Sequence, residues 1–65
     1  MGFEYCMYYE NEEFVLRHEI KKNDVVVHPR FDVVWNYVKY LLSCHINVGI
    51  DDSVIFASRD AFEGV

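Results

Sequence analysis

The sequence predicts an α+β fold in which a small antiparallel sheet carries one helix on one face, with the elements in the order β-β-β-α-β. Three observations support this prediction. Two runs of alternating apolar and polar residues fill most of the first twenty positions. A helical spacing of apolar residues follows between residues 31 and 45, and short β-prone runs lie before and after it.

Alternation predicts the first two strands. In the first run one side carries Phe3, Tyr5, Met7 and Tyr9, and the other side carries Glu4, Cys6, Tyr8 and Glu10. The second run places Phe14, Leu16, His18 and Ile20 on one side. The polar segment 10–13 joins the two runs, and its Asn11 tolerates a left-handed conformation. Together these features indicate an antiparallel hairpin.

A turn in the segment KKND is followed by a third strand, VVVH, whose β-branched residues favour extended backbone. Pro29 stops this strand and suits the first turn of a helix. The helix is predicted from about Pro29 to His45, before a cap at Asn47 or Gly49 with positive φ. Val54–Ala57 is predicted as a fourth strand, and the final segment 59–65 as a helical turn docked by Phe62.

Size and composition predict one folded domain, residues 1–65, with little stability to spare. Of the 65 residues 52% are hydrophobic and 17% aromatic, which is typical of a folded chain. A core this small usually needs a disulfide, a metal or a second subunit. The chain has two cysteines, no secretory signal and no run long enough to span a membrane, so we expect a cytoplasmic protein without a structural disulfide.

The helix carries apolar residues on two sides. A core-facing stripe is formed by Phe31, Val34, Trp35, Val38, Leu41, Leu42 and His45. A second line, about 120° away, is formed by Val33, Tyr37, Tyr40 and Cys44. Because one sheet covers only one side of a helix, this second line is a candidate contact surface. Three alternatives could cover this second line. The first is another part of the same chain, either the C-terminal segment 60–65 or a curled hairpin. The others are a second copy of the chain and a different protein.

Acidic residues concentrate near both ends of the sequence, and the net charge is −5. The main groups are Glu10, Glu12 and Glu13 in the hairpin and Asp51 and Asp52 after the helix. If the first and last strands are neighbours, these acids gather at one end of the molecule. Such an end is either an ordinary solvated surface or a surface complementary to a basic site on a partner. The charge argues against direct binding to nucleic acid.

Neither a metal site nor a catalytic site is expected. The chain has three histidines and two cysteines, but no C-x-x-C or H-x-x-x-H pair. It also has no glycine-rich phosphate loop and no nucleophile elbow. We interpret His18 as a strand residue at the core margin, His28 as a turn residue and His45 as a helix-end residue. An enzyme using His45 or Cys44 at a dimer interface is the remaining catalytic alternative.

These features predict a small acidic, non-enzymatic binding protein without a cofactor. Its expected role is to inhibit or regulate a larger protein, as a virus-encoded inhibitor of a host nucleic-acid enzyme or defence system does. The predicted contact residues are those of the second helix line and the acids of the two groups. The alternative is a structural or regulatory homo-oligomeric subunit, and a homodimer is expected because it would add to the thin core.

Overall fold

A computed structural model describes the backbone of residues 2–63 and the side chains of residues 2–57. The strands in these residues are β1 (Tyr5–Glu10), β2 (Glu13–His18), β3 (Asn23–His28) and β4 (Val48–Ile50). The helices are α1 (Phe31–Ser43) and α2 (Asp52–Glu63). The α+β class and the order β-β-β-α-β are therefore confirmed, and a second helix follows them.

The four strands form one sheet in the order β3-β2-β1-β4. β1 pairs with β2 in antiparallel orientation, as predicted for the hairpin, and β2 also pairs with β3 in antiparallel orientation. β4 pairs with β1 in parallel orientation, so the sheet is mixed rather than wholly antiparallel. This follows from the connection, because α1 carries the chain from one edge of the sheet to the other and β4 then runs in the direction of β3.

A two-residue turn joins β1 and β2. Glu10 pairs with Glu13 across it, and the intervening Asn11 and Glu12 have φ values of 53° and 64°. Positive φ at both central residues is the signature of a type I′ turn, which matches the twist of a hairpin. The prediction that Asn11 supports this turn is confirmed, and Glu12 adopts the same left-handed conformation.

The predicted fourth strand at Val54–Ala57 is wrong, because these residues lie in α2 and the fourth strand is Val48–Ile50. The Asp51 carboxylate accepts the backbone N–H of Ser53 at 2.9 Å, and the Asp51 carbonyl accepts the N–H of Val54 at 3.0 Å. These bonds start a helix at an aspartate N-cap. Val54 and Ala57, three positions apart, then pack against the core. The predicted docking of Phe62 lies outside the described side chains.

The core lies between the sheet and the two helices. It is formed by Met7, Phe14, Leu16, Val34, Val38 and Val54, with Phe31, Trp35 and Leu41 partly buried against it. The odd-numbered side of β1 and the even-numbered side of β2 therefore face the helix, as predicted. Two predicted core positions are wrong, since Leu42 is 47% exposed and His45 is exposed. Leu42 lies at the margin of the stripe, and His45 lies beyond the last helical residue.

The end of α1 differs from the prediction in the residue that caps it. His45, rather than Asn47 or Gly49, has a positive φ, of 61°. Its N–H donates to the carbonyl of Leu42 at 3.0 Å, and the N–H of Ile46 donates to that of Leu41 at 3.1 Å. This pair of bonds is a Schellman motif. Gly49 instead lies in β4, where a Cβ atom would come within 2.7 Å of the Phe3 ring.

Candidate partner-binding surfaces

The second helix line is an exposed aromatic surface, which we call the aromatic surface: Val33, Tyr37, Tyr40 and Cys44. Tyr37 is 52% exposed and Tyr40 is 67% exposed, Cys44 is also exposed, and Val33 is half-buried. A groove of about 380 Å³ lies beside the two rings, and Asn36 completes its described lining. The side chains as far as residue 57 therefore leave both tyrosine rings open.

The helix α1 packs against the sheet through its core-facing stripe, which does not include Tyr37 or Tyr40. Val34 and Val38 are fully buried against the sheet. The ring of Phe31 packs edge-on against Phe14 with centroids 5.5 Å apart and stacks on Trp35 at 5.4 Å. These contacts anchor α1 without Tyr37 or Tyr40, so the two tyrosines are available for another contact.

The acids predicted to gather do lie at one end of the sheet, which we call the acidic end: Glu10, Glu12, Glu13, Asp51 and Asp52. Because β1 and β4 are parallel neighbours, their C-terminal ends meet there. The N–H of Asp51 donates to the carbonyl of Met7 at 2.9 Å. A cavity of about 460 Å³ at this point is lined by Tyr8, Tyr9, Glu10, Arg17, Asp51 and Ser53. The role of this end in binding stays a prediction.

Hydrogen bonding and burial set the ionisation of groups near this cavity. The backbone N–H of Ser53, and then its hydroxyl, lower the pKa of Asp51, so this carboxylate stays ionised at neutral pH. Burial, followed by the charges of Asp24 and Glu10, raises the pKa of Tyr8. Arg17 opposes that rise in part. The acidic end therefore presents fixed negative charge beside a neutral phenol.

The structure separates the aromatic surface from most of the acidic end. α1 begins near the acidic end, where Phe31 contacts Phe14. After α1 the chain reaches Asn47, whose carbonyl accepts the N–H of Glu4 at 3.1 Å, at the start of β1. Thirteen residues of helix span about 20 Å, so Tyr40 and Cys44 lie towards the opposite end of the molecule. A partner that touches both surfaces must extend along α1.

The histidines and cysteines make local contacts. His18 packs edge-on against Tyr5 with ring centroids 4.7 Å apart, and its Nδ1 accepts the N–H of Lys21 at 3.0 Å. His28 Nδ1 accepts the N–H of Arg30, also at 3.0 Å. His18 is thus a half-buried strand residue and His28 lies at the turn before α1, as interpreted from the sequence. Both thiols are free, and among residues 2–57 no group of three His, Cys, Asp or Glu side chains is placed to share a metal ion.

Two features were missed by the sequence analysis. One is the acidic-end cavity, which depends on the pairing of β1 with β4. The other is the open edge of β3, where Val25 and Val27 are 46% and 44% exposed. The run of three valines signals a strand, but its place at an edge depends on strand order, which local patterns do not specify.

Between residues 2 and 63, neither helix has the length and apolar character needed to cross a lipid bilayer. Comparison with family models, with curated proteins and with solved structures finds no match for this chain.

Proposed function

We propose that this protein is a small, non-enzymatic binding protein that inhibits or regulates a larger protein partner. The observation that carries this proposal is the pair of exposed rings, Tyr37 and Tyr40, on a helix that makes its core contacts with its other side. Tyrosine supplies large contact area at low entropic cost, and it is enriched among the residues that dominate binding energy at interfaces. The groove beside these rings gives a partner side chain a place to insert.

The partner that fits best is a protein that extends along α1, with an apolar patch and, farther along, a basic site. The patch would cover the aromatic surface, and the basic site would face the acidic end. Charge of this kind accelerates encounter and selects among partners more than it adds affinity. The nucleic-acid channel of a host enzyme or defence protein has this chemistry, so we propose a virus-encoded cytoplasmic inhibitor that does not bind nucleic acid itself.

A capture experiment tests the aromatic surface. The tagged protein is incubated with lysate of the source organism and with lysate depleted of nucleic acid, and the retained protein is identified. Tyr37→Glu and Tyr40→Glu are expected to reduce its retention by at least about tenfold, because each buries a charge in an apolar contact. Leu42→Glu is the matched control. Leu42 is also exposed, but it lies two residues from Tyr40 and thus on another side of α1.

The control decides how a loss of capture is interpreted. Retention of the same protein by wild type and Leu42→Glu, with loss in both tyrosine variants while their circular dichroism is unchanged, supports the proposal. Equal retention by all four proteins contradicts it. Loss in the Leu42 variant as well also contradicts it, because the contact would then not be confined to the aromatic surface.

The contribution of the acidic end is tested with the captured partner. Glu12→Gln combined with Glu13→Gln removes two charges from the hairpin and is expected to slow association while leaving dissociation nearly unchanged. The difference from wild type should shrink as salt is added, since the Debye length falls to about 3 Å at 1 M. Equal association rates at low salt would remove the acidic end from the proposal.

The open edge of β3 favours a second candidate function, a structural or regulatory homo-oligomer. In that case the exposed edge, rather than the aromatic surface, is the contact that matters for activity.

A further inference from the structure

We propose that the face of the sheet opposite α1 is a docking site for a basic segment of a protein partner, in which an apolar side chain lies between Lys or Arg residues. We call this surface the open face. The inference goes beyond the proposed function, because it assigns a ligand chemistry to the side of the sheet that the aromatic surface does not share. It holds whether or not Tyr37 and Tyr40 bind a partner.

Only one side of the sheet is covered by the helices. Met7 of β1 and Leu16 of β2 belong to the core cluster, and so do Val34 of α1 and Val54 of α2. Both helices therefore lie on the side that carries the odd-numbered residues of β1 and the even-numbered residues of β2. Because side chains alternate along a strand, the remaining residues of β1 and β2 point to the other side, which neither helix covers.

The middle of the open face is apolar. Val15 pairs with Tyr8 of β1 and with Val27 of β3, so the three side chains lie side by side in one row across three strands. Val15 is only 6% exposed, although it lies outside the core cluster. Side chains of its own sheet therefore shield Val15, and the exposed Val27 and half-buried Tyr8 beside it are within reach of a partner.

An aromatic ring extends this apolar centre over β4. Gly49 pairs with Cys6 in the parallel ladder, so a Cβ atom at Gly49 would point to the same face as the Cys6 thiol. That Cβ atom would come within 2.7 Å of the Phe3 ring, which places the ring on the open face. Phe3 is 58% exposed. The open face thus has apolar groups from β3 to β4.

Carboxylates lie at both ends of this apolar centre. Val15 lies between Glu13 and Glu19 along β2, about 7 Å from the first and about 13 Å from the second. Other strands add acids at the same two ends, since Glu10 pairs with Glu13 and Asp24 lies at the start of β3. The full set is Glu10, Glu13 and Asp51 at the acidic end and Glu19 and Asp24 at the other.

These charges act on the groups between them. Burial raises the pKa of the Cys6 thiol, and Glu19 from one end and Asp51 from the other add to the rise. Among the described strand residues on this face, Arg17 is the only cation, and it makes no ion pair with a described residue. The potential over the open face is therefore negative.

This pattern determines the chemistry of the occupant. Like charge repels a second copy of the chain, a nucleic acid or an anionic membrane from the open face. A basic protein segment is attracted at both ends, and it buries apolar area against the central row. The distances from Val15 to Glu13 and Glu19 match an extended segment with cations about two to four residues on either side of its apolar residue.

Methyl NMR spectroscopy tests the proposal. The full chain with carbon-13-labelled valine methyl groups is titrated at low salt with an acetylated heptapeptide that has a central leucine, an alanine on each side and two lysines at each end. The methyl signals of Val15 and Val27 are expected to shift and saturate, whereas those of Val33, on the aromatic surface, are not. A peptide with serine in place of leucine is expected to bind at least about fivefold more weakly, because the apolar contact is lost.

Two substitutions that change the net charge equally locate the site. Arg17→Gln removes the cation of the open face and is expected to lower the dissociation constant of the leucine peptide by at least about threefold at low salt. Lys39→Gln makes the same change in net charge at an exposed position on α1, and is expected to alter it by less than about 1.5-fold. Val27→Lys adds a repelling charge at an exposed position and is expected to weaken binding by at least about fivefold.

The outcomes divide as follows from the location of the site. Saturating shifts at Val15 and Val27, with an effect of Arg17→Gln that Lys39→Gln does not share, support the proposal. Equal effects of the two glutamine variants overturn it, because the peptide would then respond to net charge alone. Equal affinity for the leucine and serine peptides, or shifts confined to other methyl groups, also overturn it.

Two further measurements separate the open face from the other contacts. Val15 and Val27 signals that change with protein concentration in the absence of peptide would assign the open face to a second copy and overturn the proposal. Tyr37→Glu combined with Tyr40→Glu is expected to keep the peptide-induced shifts, and their loss in a folded variant would also overturn it. Failure of partner capture with these shifts intact would count only against the proposed function.

Discussion

At the scale of single residues, four non-glycine positions among the described residues hold left-handed backbone: Asn11, Glu12, Lys22 and His45. Asparagine adopts this conformation readily, but for other L-residues it costs about 1 to 2 kcal/mol. Glu12 occupies a hairpin position that usually holds glycine, and His45 occupies the C′ position of a Schellman motif. Both residues therefore hold strain that glycine would remove.

Glycine at either position is expected to stabilise the protein. Glu12→Gly and His45→Gly should each raise the free energy of unfolding by about 0.5 to 1 kcal/mol, since relief of strain exceeds the added chain entropy. Urea denaturation measures the change. Glu12→Ala and His45→Ala keep a Cβ atom and serve as controls for the loss of the side chain. Alanine variants as stable as the glycine variants would contradict this explanation.

Ionisation on the open side of the sheet predicts a loss of stability at alkaline pH. Burial, then Glu19 and Asp51, raises the pKa of Cys6 above its ordinary 9.0, and burial raises the pKa of Tyr8 above its ordinary 10.0. The unfolded chain thus releases these protons first. The stabilisation is complete below about pH 9 and is lost as pH rises through the raised folded values.

The measurement is the free energy of unfolding against pH, from about pH 8 to about pH 11. Wild type is expected to lose stability across this range, and Cys6→Ala combined with Tyr8→Phe should give a flatter profile. Parallel profiles would show that other groups cause the loss.

At the scale of elements, Ser53 supplies a hydrogen-bond acceptor to β1 beyond the point where its pairing with β4 ends. Its hydroxyl accepts the backbone N–H of Tyr9 at 3.0 Å, so the hydrogen bonding of β1 continues onto the first turn of α2. Ser53→Ala leaves that partly buried N–H without its acceptor and is expected to cost about 1 to 2 kcal/mol. Ser43→Ala is the control, because the Ser43 hydroxyl donates to the carbonyl of Tyr40 on an exposed part of α1. Equal losses of urea stability in the two variants would contradict this role.

The first three strands and α1 could be predicted because each satisfies a local rule. Alternation defines β1 and β2, and Pro29 marks the break between β3 and α1. The buried residues Val34 and Val38 follow from helical spacing, as does the placement of Tyr37 and Tyr40 on another side. Most of the aromatic surface was therefore accessible from the sequence.

The predicted helical turn in segment 59–65 is confirmed as far as residue 63, the end of α2, but β4 and the start of α2 were not predicted, because two local signals compete there. Residues 54–57 are apolar and β-prone, which favours a strand, whereas Asp51 followed by Ser53 favours a helix start. Packing decides the outcome, since Val54 and Ala57 reach the core only at helical spacing. β4 has three residues, too few for alternation to show.

At the scale of the whole molecule, the described side chains of residues 2–57 present distinct surfaces around one small core. The aromatic surface lies on α1, the acidic end lies where β1 and β4 finish, and the open edge lies along β3. A chain of 65 residues buries only about 60% of the surface that its unfolded form exposes, so much of its apolar area stays outside the core. We propose that Tyr37 and Tyr40 belong to that external area and serve binding.

The most direct test of this claim is the free energy of unfolding of the Tyr37→Glu/Tyr40→Glu double variant, measured by urea denaturation. If the two rings form an external binding surface, the variant should unfold within about 1 kcal/mol of wild type, as exposed substitutions usually do. A loss of about 3 kcal/mol or more, the range of large-to-small changes in a core, would show that the rings stabilise the fold and would contradict the account.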